Sequence, residues 1–321
     1  MATSIKNVAW VGTGRTGKPL LDIVAKSNNF KITLLVRKPA STYTTIIPPS
    51  IKVVQVDFQS HTSLVSALQG IDAVVNVLTF GPASSIDLVE IALINAAIEA
   101  GVKFFIPSEW APDSAGANVL EEQWIGRTLR PNVVIAPKRS VHNYLMARAG
   151  QGKIAFAVVF TGVIIPSSLA VGMISFDFKT KTALLPDDGI HLFPATTLTT
   201  AGAAVVAILS NALSPTVKNR FVHISDFTTS QAEILSIVEE TLGGTPWTRK
   251  NVPVKGFFDQ SISNIEKGIY GVKEFAGVLT SPFFGGGTTW KADDNEILGL
   301  DERQNLRLEV AALAKQYAAN N

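Results

Sequence analysis

The sequence predicts an α/β fold: a doubly wound parallel sheet with a smaller α+β C-terminal substrate domain. Three observations predict it. An apolar run at Lys6–Val11 ends in Gly12-x-Gly14-x-x-Gly17, and a helical pattern follows at once. Short apolar runs then alternate with helical stretches through the first half. Only 17 % of the residues are charged and 46 % are hydrophobic. A typical chain has about a quarter charged, and the deficit suits strands covered on both faces.

Taken in order, the first strand is Ile5–Val11, followed by a helix at Gly14–Lys26. Lys31–Val36 is the second strand, and Pro39–Ser50, with Pro48-Pro49, is a loop. Ile51–Val56 is the third strand and His61–Leu68 a short helix. Ile71–Leu78 is nearly all apolar, which predicts a central fourth strand. Ser84–Ala100 is a helix stopped by Gly101, and Val102–Ile106 is the fifth strand, closed by Pro107. Asp113–Asn118 reads as a loop. Lys138–Ala149 is helical up to Gly150-Gln151-Gly152, and Ile154–Phe160 is the sixth strand. The rhythm is that of a Rossmann-type sheet.

After Phe160 the rhythm breaks. Thr161–Pro194 carries no clean period. Thr197–Leu209 predicts a helix returning to the sheet, with a strand at Arg220–Ile224. Gln231–Leu242, Asp259–Lys267 and Leu306–Tyr317 predict helices, and Ser281–Thr289 a glycine-rich loop. The expected division is a nucleotide-binding domain over 1–162 and 195–225, and a substrate-binding domain over 163–194 and 226–321. An apolar substrate pocket is expected between them, lined by Phe176, Phe178, Phe283 and Phe284; burial in the core is the commoner fate of such rings.

Each glycine of the first turn has a separate task. Gly12 permits the tight turn off the strand, Gly14 lets backbone N–H groups approach a pyrophosphate, and Gly17 allows close helix–sheet packing. Thr13, Arg15 and Thr16 complete the expected phosphate cradle. The second strand ends in Arg37-Lys38, where a site for NAD would place an acid against the ribose 2′-hydroxyl. Two cations suit the 2′-phosphate of NADP(H) instead, with Arg15 closing on it. A solvated strand end is the plainer reading of the same pair.

Ligands of open α/β sheets bind beyond the carboxyl ends of the strands. Asp57 follows the third strand and fits either an adenine contact or a helix N-cap before His61. Thr79 and Phe80 follow the fourth strand and are expected along the nicotinamide ribose. Ser108 and Glu109 follow the fifth, and Phe160 ends the sixth. All of these also read as ordinary strand-end residues. No Tyr-x-x-x-Lys pair exists, since Tyr144 is followed four residues on by Arg148. Lys138 is then the candidate acid/base, opening its helix after Pro137. Near a helix N-terminus and a bound nicotinamide it is expected to exchange a proton near neutral pH. His142 shares its face one turn on and reads either as a substrate contact or as a satisfied helical histidine.

Composition narrows the classes further. A net charge of +2 without a basic tail argues against nucleic acid. The absence of cysteine removes disulfides and thiolate chemistry. The four histidines, His61, His142, His191 and His223, lie far apart, so no metal is expected. No signal peptide is evident, and the apolar run at Ala201–Leu209 is too short to cross a bilayer. A cytoplasmic protein with a small-molecule substrate, no membrane partner and room for a homodimer is the resulting expectation.

These residues together resemble the NmrA-like, atypical short-chain dehydrogenase family, in its isoflavone reductase and phenylcoumaran benzylic ether reductase branch. The family opens with Gly-Gly-Thr-Gly-x-x-Gly-Lys; this chain has Val11-Gly12-Thr13-Gly14-Arg15-Thr16-Gly17-Lys18, with Val11 for the first glycine. Val36-Arg37-Lys38-Pro39 is similar to the family's NADP-type strand end. Gly101–Trp110 resembles its "GVKRFIPSEFG", with Trp110 replacing phenylalanine. The similarity fades beyond roughly residue 225. The resemblance implies a Rossmann fold, NADPH, and reduction of a small aromatic or phenolic metabolite. Lys138 falls where the reductase branch carries its proposed catalytic lysine. In the leading reading, Ser108 is expected to orient the substrate oxygen. Two other readings stay open: a non-catalytic NADP(H)-sensing regulator, which Arg15 favours, and an isomerase, epimerase or dehydratase that retains its NADP.

Overall fold

Side-chain alternation along the strands builds two hydrophobic layers around one sheet. Val8 and Trp10 of β1 (Asn7–Val11) point to one face, Ala9 and Val11 to the other. A computed structural model describes residues 4–78, 86–115, 135–244, 246–269, 271–284, 290 and 292–320. Among them, β2 (Lys31–Val36), β3 (Lys52–Gln55), β4 (Ala73–Asn76), β5 (Phe104–Ile106), β6 (Ala155–Phe160) and a later strand, Arg220–His223, join β1 in one parallel sheet. Its order is β3-β2-β1-β4-β5-β6, with Arg220–His223 at the edge beside β6. The order reverses between β1 and β4, which is where such sheets open a crevice at their carboxyl edge.

Helices cover both faces. α1 (Gly17–Lys26) packs Leu20, Leu21 and Val24 on the Trp10 face. α2 (His61–Ala67), α3 (Ile86–Glu99) and α4 (Ile135–Gly150) cover the other face through Leu64, Leu93, Ile94, Val141 and Leu145. Phe104, Phe105, Phe156 and Phe160 are fully or almost fully enclosed between these layers. Each contributes about 1.5–3 kcal/mol through burial. The predicted α/β fold class is therefore present, with boundaries shifted by a few residues. α1 starts at Gly17 rather than Gly14, because Gly12–Thr16 is spent on the turn.

The stretch without a clean period is made of short pieces. β7 (Val163–Ile164), α5 (Ser167–Ala170), β8 (Phe176–Asp177), β9 (Thr182–Pro186) and β10 (Phe193–Thr196) are too brief to show one. α6 (Leu198–Ser210) then returns to the sheet and lies against α1. There Gly202 sits so close that a Cβ would come 2.5 Å from Ile23. Thr197 caps α6 by accepting from Thr200 N. With Arg220–His223 numbered β11, the chain adds β12 (Phe227–Thr229), α7 (Gln231–Leu242), β13 (Thr248–Val252), α8 (Val254–Glu266), α9 (Val272–Phe284) and α10 (Leu306–Asn320). Two small sheets result, β12-β10-β7 and β13-β9-β8.

Several expectations fail here for identifiable reasons. β13 reads Thr-Arg-Lys-Asn-Val and is almost wholly exposed, so no apolar alternation announces it. The predicted glycine-rich loop at Ser281–Thr289 starts too early, since α9 continues through Phe284. Phe176 and Phe178 are packing residues and not pocket lining. Phe176 lies 5.9 Å from the Trp247 ring, and Phe178 stacks on Tyr317 at 4.6 Å. The side chains of Phe283 and Phe284 lie outside the description. No helix of the described residues is long and apolar enough to cross a membrane. No described group of three acidic or histidine side chains is placed to hold a metal ion.

Candidate active site

At the carboxyl edge, β1 runs into the glycine turn. Gly12 has φ 108°, a region open to glycine, and a Cβ there would strike the Val77 carbonyl after β4. A Cβ on Gly17 would lie 2.5 Å from Gly12 O and 3.5 Å from Val77, so this glycine serves helix–sheet contact as expected. Gly14 and Arg15 are exposed on the turn, between Thr13 and Thr16. No side chain caps the N-terminus of α1, which leaves its N–H groups facing the crevice for an anion. Arg37 and Lys38 end the neighbouring strand β2 and are also exposed. The residues that would hold a phosphorylated dinucleotide thus share one edge, and their donor chemistry fits it.

Asp57 follows β3 on the same edge, exposed, and its Oδ1 accepts from Gln59 N at 2.9 Å. It is not the helix cap: Ser60 caps α2 by accepting from Ser63 N. Thr79 and Phe80 lie outside the described residues.

Between β4, β5 and α4 the structure assembles a buried polar cluster. Glu90 of α3 accepts at Oε1 from Asn76 Nδ2 and from Ser108 N, each at 2.8 Å. Ser108 Oγ donates to Leu78 O at 2.8 Å, and Trp110 Nε1 donates to Asn76 O at 2.8 Å. These bonds tie the segment after β5 to the end of β4. The Ser108 hydroxyl proton is committed to that carbonyl, so Ser108 does not present a donor to a substrate oxygen as the sequence reading expects.

From α4, Lys138 reaches into the same segment. Its Nζ donates to Ser108 O at 2.9 Å and Glu109 O at 3.0 Å, and lies 3.6 Å from Glu109 Oε1. One turn on, His142 Nε2 meets Glu109 Oε2 at 2.9 Å. The Lys138 side chain is 12 % exposed and that of Glu109 1 %. Lys138 does not open the helix. α4 begins at Ile135, which puts Pro137 and Lys138 inside its first turn, where a missing N–H costs nothing.

His142 takes the second of its two expected readings, a helical histidine turned inward, and Phe160 a role other than the one expected. His142 is buried, edge-on to Phe160 at 6.0 Å and to Phe221 at 5.4 Å, so it contacts Glu109 and not an open pocket. Phe160 is fully enclosed and lies 5.0 Å from the His223 ring, a packing residue with no face left for a cofactor. His223 in turn meets Asp113 at 2.9 Å.

The two buried acids are driven in opposite directions. Burial pushes the Glu90 carboxyl above the usual carboxylate range, against the hydrogen bonds from Ser108 and Asn76. Burial also acts to raise Glu109, but the Lys138 charge and then the His142 hydrogen bond outweigh it and hold Glu109 below that range. Sequence reasoning passed over Glu90, and marked Asn76 only as part of the segment at the end of the fourth strand. The available signal was an acid set among Leu88, Val89, Ile91 and Ala92 in the first half of α3.

Comparison with known proteins follows the same lines. The model of the NmrA-like family matches residues 6–282. The oxidoreductase aprR of Aspergillus flavus is 26 % identical over 316 residues, covering 97 % of this chain and 99 % of its own. Among solved structures, the NADPH-dependent quinone oxidoreductase QOR2 of Escherichia coli, complexed with NADPH, has a TM-score of 0.71 at 18 % identity, with 95 % and 99 % of the two chains covered. An isoflavone reductase has a TM-score of 0.70 at 17 % identity, with 98 % and 100 % covered.

The direction at Glu90 carries a stability prediction. The unfolded chain releases this proton first, so the group's contribution falls as pH rises from the usual carboxylate range through the raised value. Glu90→Gln keeps the Oε1 acceptor and removes that slope. In urea denaturation from about pH 4 to about pH 8, the variant's stability relative to wild type rises with pH. A difference constant across pH contradicts the assignment.

Proposed function

The chain belongs to the NmrA-like family, and we propose that it is an NADP(H)-dependent reductase of a small, hydrophobic, aromatic or phenolic carbonyl compound. The observation that carries the reading is Lys138, held by two consecutive carbonyls at the end of β5, at the carboxyl edge that also bears the glycine turn. Gly12, Thr13, Gly14, Arg15, Thr16 and Gly17 would receive the pyrophosphate, and Arg37, Lys38 and Arg15 the 2′-phosphate, with Asp57 near the adenine. When bound, NADPH supplies a hydride, so that carbonyl, NADPH and one proton give alcohol and NADP+. The chain's part is to set the two reactants at one edge and to supply the proton through Lys138 Nζ. Domain roles follow: the sheet over 1–162 and 195–225 holds the nucleotide, and 163–194 with 226–321 covers the substrate. QOR2 and isoflavone reductase, by their names, act on a quinone and an isoflavone, and these names support a ring-bearing, hydrophobic substrate class.

Two measurements test this. By calorimetry NADPH binds more tightly than NADH, and Arg37→Ala weakens NADPH by about 1.5–3 kcal/mol while leaving NADH nearly unchanged, the loss expected for a charge-assisted bond. Equal affinity for the two nucleotides overturns the cofactor assignment. In steady-state turnover of quinones and phenolic enones, Lys138→Ala lowers kcat about 10²–10⁴-fold with NADPH affinity within a few-fold of wild type. Lys138→Arg does not restore it, because guanidinium does not release its proton. Tight NADPH binding without turnover of any substrate favours the regulator reading instead.

A further inference from the structure

We propose that Glu109 is a positioning residue that keeps Lys138 in its ammonium form, so that Lys138 serves the reaction as an acid and not as a base. The proposal rests on the reductase reading for its chemical meaning, and on geometry for its physical content. Among the described residues, three acceptor oxygens lie near Lys138 Nζ: Ser108 O at 2.9 Å, Glu109 O at 3.0 Å and Glu109 Oε1 at 3.6 Å. An ammonium gives two N–H bonds to the carbonyls and keeps a third for the substrate, with its charge balanced by Oε1, which takes no hydrogen bond itself. A neutral amine has two N–H bonds in all, and the carbonyls use both.

Among the described lysines and arginines, Lys138 is the one paired with the Glu109 carboxylate. The Glu109 side chain is 1 % exposed, and Oε1 is buried without a conventional hydrogen bond. A buried carboxylate needs a counter-charge, and removal of the partner leaves it uncompensated. His142 gives Oε2 a hydrogen bond at 2.9 Å, and its other ring nitrogen, Nδ1, is buried beside the Phe160 and Phe221 rings. The remaining groups agree. Burial pushes Glu90 towards its neutral form, which keeps a second negative charge out of the cluster. Arg139, the next residue, directs its Nε to Ser114 O at 3.0 Å. Lys138 Nζ stands 3.6 Å from Glu109 Oε1, and that contact is the ion pair of the cluster.

In the proposed reaction the substrate oxygen takes its proton from Lys138 Nζ as its carbon is reduced by NADPH. The N–H bond breaks, the O–H bond forms, and the amine recovers a proton from solvent. Glu109 never transfers a proton; it makes the recovery favourable.

Competitive acetylation with acetic anhydride across pH, read from the Lys138 peptide by mass spectrometry, tests this on the full chain without any substrate. In Glu109→Gln the half-reaction point of Lys138 moves to lower pH by about one to three units, the size of an opposite-charge effect at this range. Glu109→Asp keeps the charge but withdraws it by a methylene, and gives a smaller shift in the same direction. If Glu109→Gln does not fold, the Asp variant carries the test. Superimposable labelling curves for wild type and the folded variants overturn the proposal. A shift in labelling with no turnover of any carbonyl compound retains the ion pair and removes the reductase reading; turnover with no shift does the reverse.

Discussion

The reach of Lys138 from α4 to the carbonyls of Ser108 and Glu109 is the contact on which the site depends. It fastens a helix on one face of the sheet to the strand end that faces the crevice. Four further bonds converge on the same short segment: Glu90 to Ser108 N, Ser108 Oγ to Leu78 O, Trp110 Nε1 to Asn76 O, and His142 to Glu109. The segment is strained enough to put Trp110 at φ 40°, outside the region favoured by a bulky side chain. Such a conformation persists where its surroundings over-determine it. Here the surroundings include two buried carboxyl groups, Glu90 held by hydrogen bonds and Glu109 by an ion pair.

The nucleotide-facing edge depends on a different constraint, which is space. Gly12 and Gly17 let the turn, Val77 and the start of α1 meet without a Cβ between them. That contact sets α1 over the point where strand order reverses, with its uncapped N-terminus towards the crevice. α6 fixes the other side of α1 through Gly202. The candidate site is therefore assembled from two independent supports: close backbone packing at the glycine turn, and a charge-paired cluster at the end of β5.

How much of this was legible in the sequence follows from the physics of each part. Lys31–Val36 and Gln231–Leu242 were read to the residue, because each is a clean periodic run bounded by turn or cap residues. The glycine turn and the Arg37-Lys38 pair were legible because their chemistry is local. Lys138 and Ser108 could be named, and the segments around Asn76 and Glu109 could be marked as strand ends. The web that joins them could not be read, since Glu90 meets Ser108 across eighteen residues and Lys138 meets Glu109 across twenty-nine. Phe160 looks like a site residue in one dimension and proves to be packing, and of the two readings open for His142 the buried helical one holds, once the rings around them are seen. The exposed strand Thr248–Val252 and the short strands after Phe160 left no periodic trace, because a strand paired at an edge or only a few residues long buries too little to impose one.

The central claim is that the ion-paired lysine and the glycine turn serve one reaction centre. A crystal structure with NADP+ bound measures it most directly, through the distance from nicotinamide C4 to Lys138 Nζ. The account predicts the pyrophosphate on the turn from Gly12 to Gly17 and the nicotinamide beside Lys138, with room between C4 and Nζ for one carbonyl group. A nicotinamide placed away from Lys138, with Glu109 and the end of β5 standing between them, would contradict it.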